Sequence, residues 1–436
     1  MFKQYNKNCF FINFFLMGSL CGVSPCIVQS QNMINNGNSI VVSQGANLVI
    51  TGNYVNLNSG ADGKLDLDGK MIVQGNIVNN ANNNILVNIE PVPDGEVLMN
   101  GTTPQSIEGI SPTHFENLTI ENSAKTLNIS LCQVNGNINI DAPLLLNAKR
   151  IILNNSNPTA LNYLSNYILS ETKPSQGYGE LQWNIGNTLG TYNVPFGTSN
   201  AANDLNVTLT TKSTSNPFDG NIVFATYPTD DNLNNPFPIG VNDLSNIDPL
   251  SIADRFWLVD AQYLQKPLVD IKFRFKNPED IDNNIKIQLR FLKGMRYNPV
   301  IGTWGDWGPF GISDTVFNEV SISDVSPENF FPNWTLVSTE ESSGVWIPNS
   351  FTPDGNGVND TYKPVTLGFE PVKYTMMIYN RWGEELFHSN DISMGWDGKS
   401  KGTSVKAPLG VYVWIIIATN YIGKEYRYEG KVTLVR

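Results

Sequence analysis

The chain has 436 residues and a formal net charge of −12 at pH 7. Charged residues are 16% of the total and aromatics 11%, which excludes a disordered polyelectrolyte. The acidic balance argues against nucleic acid and anionic membrane surfaces as partners, and the length supports two or three domains with ample core.

Residues 1–30 read as a signal peptide for export through the inner membrane. Lys3 and Lys7 make a positive start, Phe10–Val23 is largely apolar, and Val28-Gln29-Ser30 offers small residues for cleavage between Ser30 and Gln31. The alternative is an uncleaved anchor, although Asn13 and the short apolar run fit a span poorly. No later stretch is long enough to cross a membrane as a helix. Cys9, Cys21 and Cys26 leave with the leader, so Cys132 alone remains and no internal disulfide is expected. Lying between Leu131 and Val134, Cys132 reads as a small core residue.

From 31 to 175, short apolar alternations are separated by Asn and Gly. Val49-Ile50-Thr51-Gly52-Asn53-Tyr54-Val55-Asn56 recurs as Ile72-Val73-Gln74-Gly75-Asn76-Ile77-Val78-Asn79, with the glycines 23 positions apart. Gln133-Val134-Asn135-Gly136-Asn137-Ile138-Asn139-Ile140 is a third copy. One strand motif per turn at a fixed period predicts a short right-handed parallel β-helix. In such a coil Asn side chains stack and hydrogen-bond between rungs. An antiparallel sandwich is the alternative for this stretch.

From 176 to 340 the strands lengthen and charge rises. Asn206–Thr210, Ile222–Thr226, Phe256–Val259, Val269–Phe275 and Ile285–Arg290 read as strands of a jelly-roll-like or immunoglobulin-like β-sandwich. A polar linker, Ser338–Gly344, leads out of it.

The final region, 345–436, opens on turn chemistry: Pro348, Pro353, Gly355 and Gly357 with the side-chain oxygens of Asp354, Asn356, Asn359 and Asp360. About seven short strands follow. Tyr374, Met376 and Ile378 alternate onto one face, and Val411–Ile417, apolar on both faces, reads as a central strand. Trp382 and Trp396, each close to a glycine turn, read as core anchors.

The stretch Pro348-Asn349-Ser350-Phe351-Thr352-Pro353-Asp354-Gly355-Asn356-Gly357, with Ile378–Glu384, Gly395-Trp396-Asp397-Gly398, Pro408–Tyr412 and Gly430–Arg436, resembles the gliding-motility-associated C-terminal domain. That family is the second type of sorting domain of the type IX secretion system of Bacteroidetes. Its loop usually reads Pro-Asn-Gly-Asp-Gly; here acid and amide are exchanged, which keeps the turn. The resemblance implies an immunoglobulin-like sandwich addressed to the outer-membrane translocon, with an outer-membrane β-barrel of the PorP/SprF type as partner. Asn380, Arg381, Trp382, Gly383 and the terminal Lys431, Val432, Thr433, Leu434, Val435 and Arg436 are the expected recognition residues. A sheet edge and the last strand give a physical route for docking. Gly101–Gly109 and Phe115–Ile120 also resemble a segment common in large Bacteroidetes surface proteins.

Catalytic chemistry is thin. His114 and His388 stand far apart and read as surface or turn residues; no His–Cys cluster, nucleophile elbow or phosphate-binding loop is visible. Calcium is the one cofactor considered: Asp354, Asn356, the carbonyl of Val358 and Asp360 have the alternating oxygen spacing of hard-cation loops, against a metal-free Asx turn. Asp230-Asp231 and Asp280 with Asp282 read as solvated, and Asp62, Asp66 and Asp68 as near turns. The cluster Trp304–Phe310 either binds sugar faces, such as a surface polysaccharide, or fills the end of the sandwich.

The expectation is an all-β protein: a short parallel β-helix, a β-sandwich, then an immunoglobulin-like sandwich. Its expected role is a non-enzymatic type IX cargo at the cell surface, adhesive or assembling in gliding motility. Alternatives are an integral subunit of the secretion or gliding machinery, and a carbohydrate-active β-helix enzyme with a carboxylate-lined groove.

Overall fold

The computed structural model describes residues 27–435 apart from 58–63, 82–94, 172–176, 199–204, 214–219, 231–235, 243, 245–246, 282–286, 306–307, 339–343, 368 and 421–424. The leader through Cys26, Asp62, Asp231, Asp282, Trp307, most of the linker and Arg436 lie outside the described residues. Among the described residues there is no α-helix, only strands and three-residue 3-10 turns, and no helix long and apolar enough to cross a membrane.

The Asn/Gly repeats coil as expected into a parallel β-solenoid. Two seven-stranded parallel sheets run along it, and a third begins at Thr113–Phe115. The 23-residue repeat is one rung: Asn47–Ile50 lies in register on Lys70–Val73, and Tyr54–Leu57 on Ile77–Asn80. Period-two alternation sends Ile50, Tyr54, Val73 and Ile77 into the core. At the corners the asparagines form ladders. Asn53 N donates to Asn32 Oδ1 at 2.8 Å, Asn76 N to Asn53 Oδ1 at 2.7 Å and Ser106 N to Asn76 Oδ1 at 2.9 Å. A second column runs Asn184 to Asn154 to Asn135, at 2.6 and 2.7 Å. The corner glycines have no alternative: a Cβ on Gly75 would sit 2.5 Å from the backbone carbon of Gly52.

Ile27–Ser30 forms the first strand of this coil, parallel to Asn47–Ile50. Cleavage between Ser30 and Gln31 would remove that strand and leave Asn47–Ile50 at the sheet edge.

The solenoid runs into the sandwich without a break. Glu180–Trp183 pairs in parallel with Arg150–Leu153 and antiparallel with Gly220–Pro228. The third sheet thereby continues as one nine-stranded sheet. The second layer is a five-stranded sheet of Gly190–Val194, Val207–Ser213, Leu268–Arg274, Glu319–Val325 and Ile312–Asp314. One apolar core extends from Val42 to Leu336. Trp183 sits at the junction, donating Nε1–H to Asn155 O at 2.8 Å and meeting Tyr192 edge-on at 5.0 Å.

Two expectations for this region change. The described end of Ile285–Arg290 is not strand; Leu289–Phe291 is a 3-10 turn. Asp280 is not solvated but buried, and its carboxylate receives Arg255 Nε at 2.9 and 2.8 Å. Arg255 Nη1 reaches Glu171 at 2.8 Å. A burial pattern along one strand cannot reveal a charge paired across the fold.

The C-terminal region has its own core, built on Tyr362, Tyr374, Met376, Ile378, Trp396, Tyr412 and Ile416. A five-stranded sheet carries it, in the order Ser350–Phe351, Glu425–Leu434, Gly410–Asn420, Phe369–Tyr379, Glu385–Ser389. A two-stranded ribbon, Gly344–Trp346 with Val365–Leu367, completes it. Tyr374, Met376 and Ile378 share the buried face as predicted, and Gly410–Asn420 is the central strand. One face of that strand is fully covered, with Tyr412, Trp414 and Ile416 inside, whereas on the other Val411 and Val413 are exposed and Ile415 and Ile417 half-buried. Trp396 is fully buried and donates Nε1–H to Lys399 O at 2.7 Å. Trp382 is not a core anchor; it is 85% exposed.

Candidate functional site

The tip between Phe369–Tyr379 and Glu385–Ser389 is built by Asn380. Its Oδ1 accepts the N–H groups of Trp382 at 2.9 Å and Glu384 at 3.0 Å. Its Nδ2 donates to Glu384 Oε2 at 2.9 Å. Backbone bonds Asn380 N to Glu384 O and Gly383 N to Asn380 O, both 3.0 Å, close the turn. Gly383 supplies the left-handed conformation at φ +82° that a side chain would strain. The four hairpin residues therefore divide. Asn380 and Gly383 make the turn, and Arg381 and Trp382 are presented to solvent on it.

The terminal strand divides likewise. Val432 and Leu434 are buried core residues, whereas Lys431 and Thr433 face outward and Val435 is partly exposed. The last strand is not a free edge along its whole length, because Ser350–Phe351 pairs with Thr433–Leu434. Glu425, Arg427 and Glu429, which lie along the uncovered part, were not singled out from the sequence; their alternating charge was the available signal.

The Asp354 loop forms a closed Asx turn. Asp360 accepts Gly355 N and Gly357 N on its two oxygens, each at 2.6 Å. Asp354 accepts Asn356 N and Nδ2 at 3.0 Å each, and Asn356 Oδ1 accepts Val358 N at 2.8 Å. Each side-chain oxygen of Asp354, Asn356 and Asp360 is thus turned toward a donor of the loop itself. The amides of Gly355 and Gly357 hold the Asp360 carboxyl below its ordinary pKa. Among the described residues, no group of three or more His, Cys, Asp or Glu side chains is placed to hold a metal.

Beside the hairpin, an open basin of about 490 Å³ is lined by Phe387, His388, Asp397, Lys399 and Lys401, among others. Its cations are matched locally, Lys401 by Glu385 and Lys399 by Asp397.

Neither histidine sits in a turn. His388 lies on Glu385–Ser389, 3.3 Å from Glu385. His114 lies on Thr113–Phe115, beside the strand that carries Cys132. Thr113 is the residue paired with Cys132, so His114 and Cys132 project to opposite faces. The Cys132 thiol is fully buried, and burial pushes its pKa up to about 12. Asp66 lies within the strand Lys64–Leu67.

Trp304 packs on Phe237 at 5.2 Å and Tyr297 at 5.6 Å, with Nε1–H on Asn242 O at 2.7 Å. These contacts place Trp304 on the edge strand of the nine-stranded sheet, packed on the face turned away from the main core beside Tyr227, Phe256 and Met295, rather than at the sandwich end.

No curated protein and no solved structure matches the chain. Residues 345–434 match the family model described as the CHU_C Type IX secretion signal domain, which supports export of this chain as cargo of the type IX secretion system, to the cell surface or extracellular space.

Proposed function

We propose that this chain is a non-enzymatic type IX cargo retained on the extracellular face of the outer membrane. In this reading the solenoid and sandwich form a passive scaffold for adhesion or assembly in gliding motility. The C-terminal domain is read by the translocon and held by an outer-membrane β-barrel of the PorP/SprF type. The observation that carries the reading is the Trp382 hairpin of the matched domain. An 85% exposed tryptophan on a turn fixed by side-chain and backbone bonds is a docking element rather than a core element.

Trp382→Ala is expected to lower surface display at least about tenfold, the range of a lost aromatic hot spot, while the melting curve stays unchanged. Surface labelling of intact cells reads the first and calorimetry of the purified protein the second. Wild-type display of the variant would contradict the hairpin assignment.

The domain also works without calcium, since the loop oxygens already have partners. Chelation is expected to leave the melting temperature unchanged, and Asp360→Ala to lower the melting of this domain by a few degrees. The sign with pH follows from the depressed Asp360 pKa. Its stabilising contribution is complete above the ordinary carboxylate range and is lost as pH falls through the lower folded value. A melting temperature that falls on chelation at neutral pH would show that a cation holds the loop.

A further inference from the structure

The terminal strand Glu425–Leu434 carries an open edge. Ser350–Phe351 covers it only at Thr433 and Leu434. Among the described residues, no strand lies on that side of Glu425–Val432; the strand's long partner, Gly410–Asn420, is on the other side. The N–H of Thr433 points outward, to Asn349 O at 2.9 Å. The pairing with Gly410–Asn420 has no register shift, so alternation turns the backbone groups of Glu425, Arg427, Glu429 and Lys431 outward too. The side chains of these four residues are exposed on one face and alternate in sign along the edge.

We propose that this edge pairs antiparallel with the same edge of a second copy of the chain, about a two-fold axis at Tyr428. In that register Glu425 lies opposite the partner's Lys431, and Arg427 opposite the partner's Glu429. Every outward backbone group in the window then meets its complement, and every charge meets its opposite. Neighbouring registers are disfavoured by the same side chains. An axis at Arg427 sets that residue against itself and Glu425 against the partner's Glu429. An axis at Glu429 sets that residue against itself and Arg427 against the partner's Lys431. Axes at Tyr426 or Gly430 keep one kind of charge pair, and the latter runs into the strand covering Thr433. Arg427 and Glu429 already pair along one strand at 3.2 Å, so the dimer extends an existing ion pair into a four-membered row. The edge is thus self-complementary in charge, and the pairing is independent of how the domain is read by the export machinery.

The test is the mass in solution of the full mature chain, by sedimentation velocity or light scattering. The wild-type chain is expected to dimerise with rising concentration. Arg427→Glu alone, or Glu429→Arg alone, is expected to weaken association at least about tenfold, because two cross-strand pairs turn from attractive to repulsive. Mixing these two single variants is expected to restore a heterodimer, and the double variant carrying both changes to restore the homodimer. Both positions are solvent-exposed, so unchanged melting curves would show that each variant folds. A wild-type chain that stays monomeric up to its solubility limit would overturn the proposal and leave the edge for a strand of another protein. A dimer indifferent to the reversals, or one that mixing fails to restore, would overturn it as well.

Discussion

Asp280→Ala is expected to cost the solenoid–sandwich unit about 3–5 kcal/mol, the range for removing one partner of a buried ion pair. Arg255 and Asp280 are both almost wholly inaccessible to solvent. Asp280 accepts Arg255 Nε on both oxygens and also Lys276 N at 2.7 Å. Its loss leaves that amide without its acceptor and the guanidinium with Glu171 as its remaining carboxylate. The charge cannot be shed, because an arginine does not deprotonate in a protein. Replacing both partners by apolar residues of similar size, Arg255→Met with Asp280→Leu, is expected to recover part of the loss, because Lys276 N still lacks its acceptor and Glu171 loses Arg255. Chemical denaturation of the three proteins measures this. A loss below about 1 kcal/mol for Asp280→Ala would mean that the pair is solvent-screened as surface pairs are.

This site also marks where the sequence stops being legible. Asp280 and Asp282 next to Pro278 look like a solvated turn, and nothing near them in sequence announces Arg255 or Glu171. Desolvation is set by elements brought together from far along the chain. The solenoid was legible for the opposite reason. Its rungs stack successive repeats, so Gly52 over Gly75 and Asn53 over Asn76 are long-range contacts written as a local period. The corner asparagines were readable as ladders because each rung offers the next the same side chain. The handover at Glu180–Trp183 was not readable, since that strand is parallel to one neighbour and antiparallel to the other. Alternation in the strand itself does not specify partner direction.

In the C-terminal domain, alternation placed Tyr374, Met376 and Ile378 correctly and identified Gly410–Asn420 as the central strand. It overreached at Val411 and Val413, because an apolar run reads as buried on both faces whether or not a second layer covers it. Trp382 and Trp396 look alike in sequence, each with glycine close behind. What separates them is Asn380, whose side chain pins the turn and turns Trp382 outward, while Trp396 lies inside against Phe351 and Tyr412. In the Asp354 loop the exchanged acid and amide have an equally local outcome: Asp354 and Asn356 each accept a donor two residues on, and Asp360 accepts the glycine amides.

The domain at 345–434 is expected to fold and act as a transferable unit. Its buried cluster, from Phe351 to Leu434, is separate from the cluster shared by the solenoid and sandwich. Its three long strands lie in one sheet with Gly410–Asn420 between the other two, and the covering strand Ser350–Phe351 clamps the end of Glu425–Leu434. Trp396, Tyr412 and Phe351 supply large apolar burial, about 1.5–3 kcal/mol for a residue of phenylalanine size. A segment so closed is expected to keep its fold, and the proposed docking hairpin on it, when moved to another protein.

The measurement that tests this most directly is the localisation of a stably folded reporter carrying a signal peptide and residues 345–436, in a cell with an active type IX system. Surface labelling of the reporter, lost when the same cells lack the translocon, is the expected result. A reporter that is made, folded and confined to the periplasm in competent cells would contradict the account.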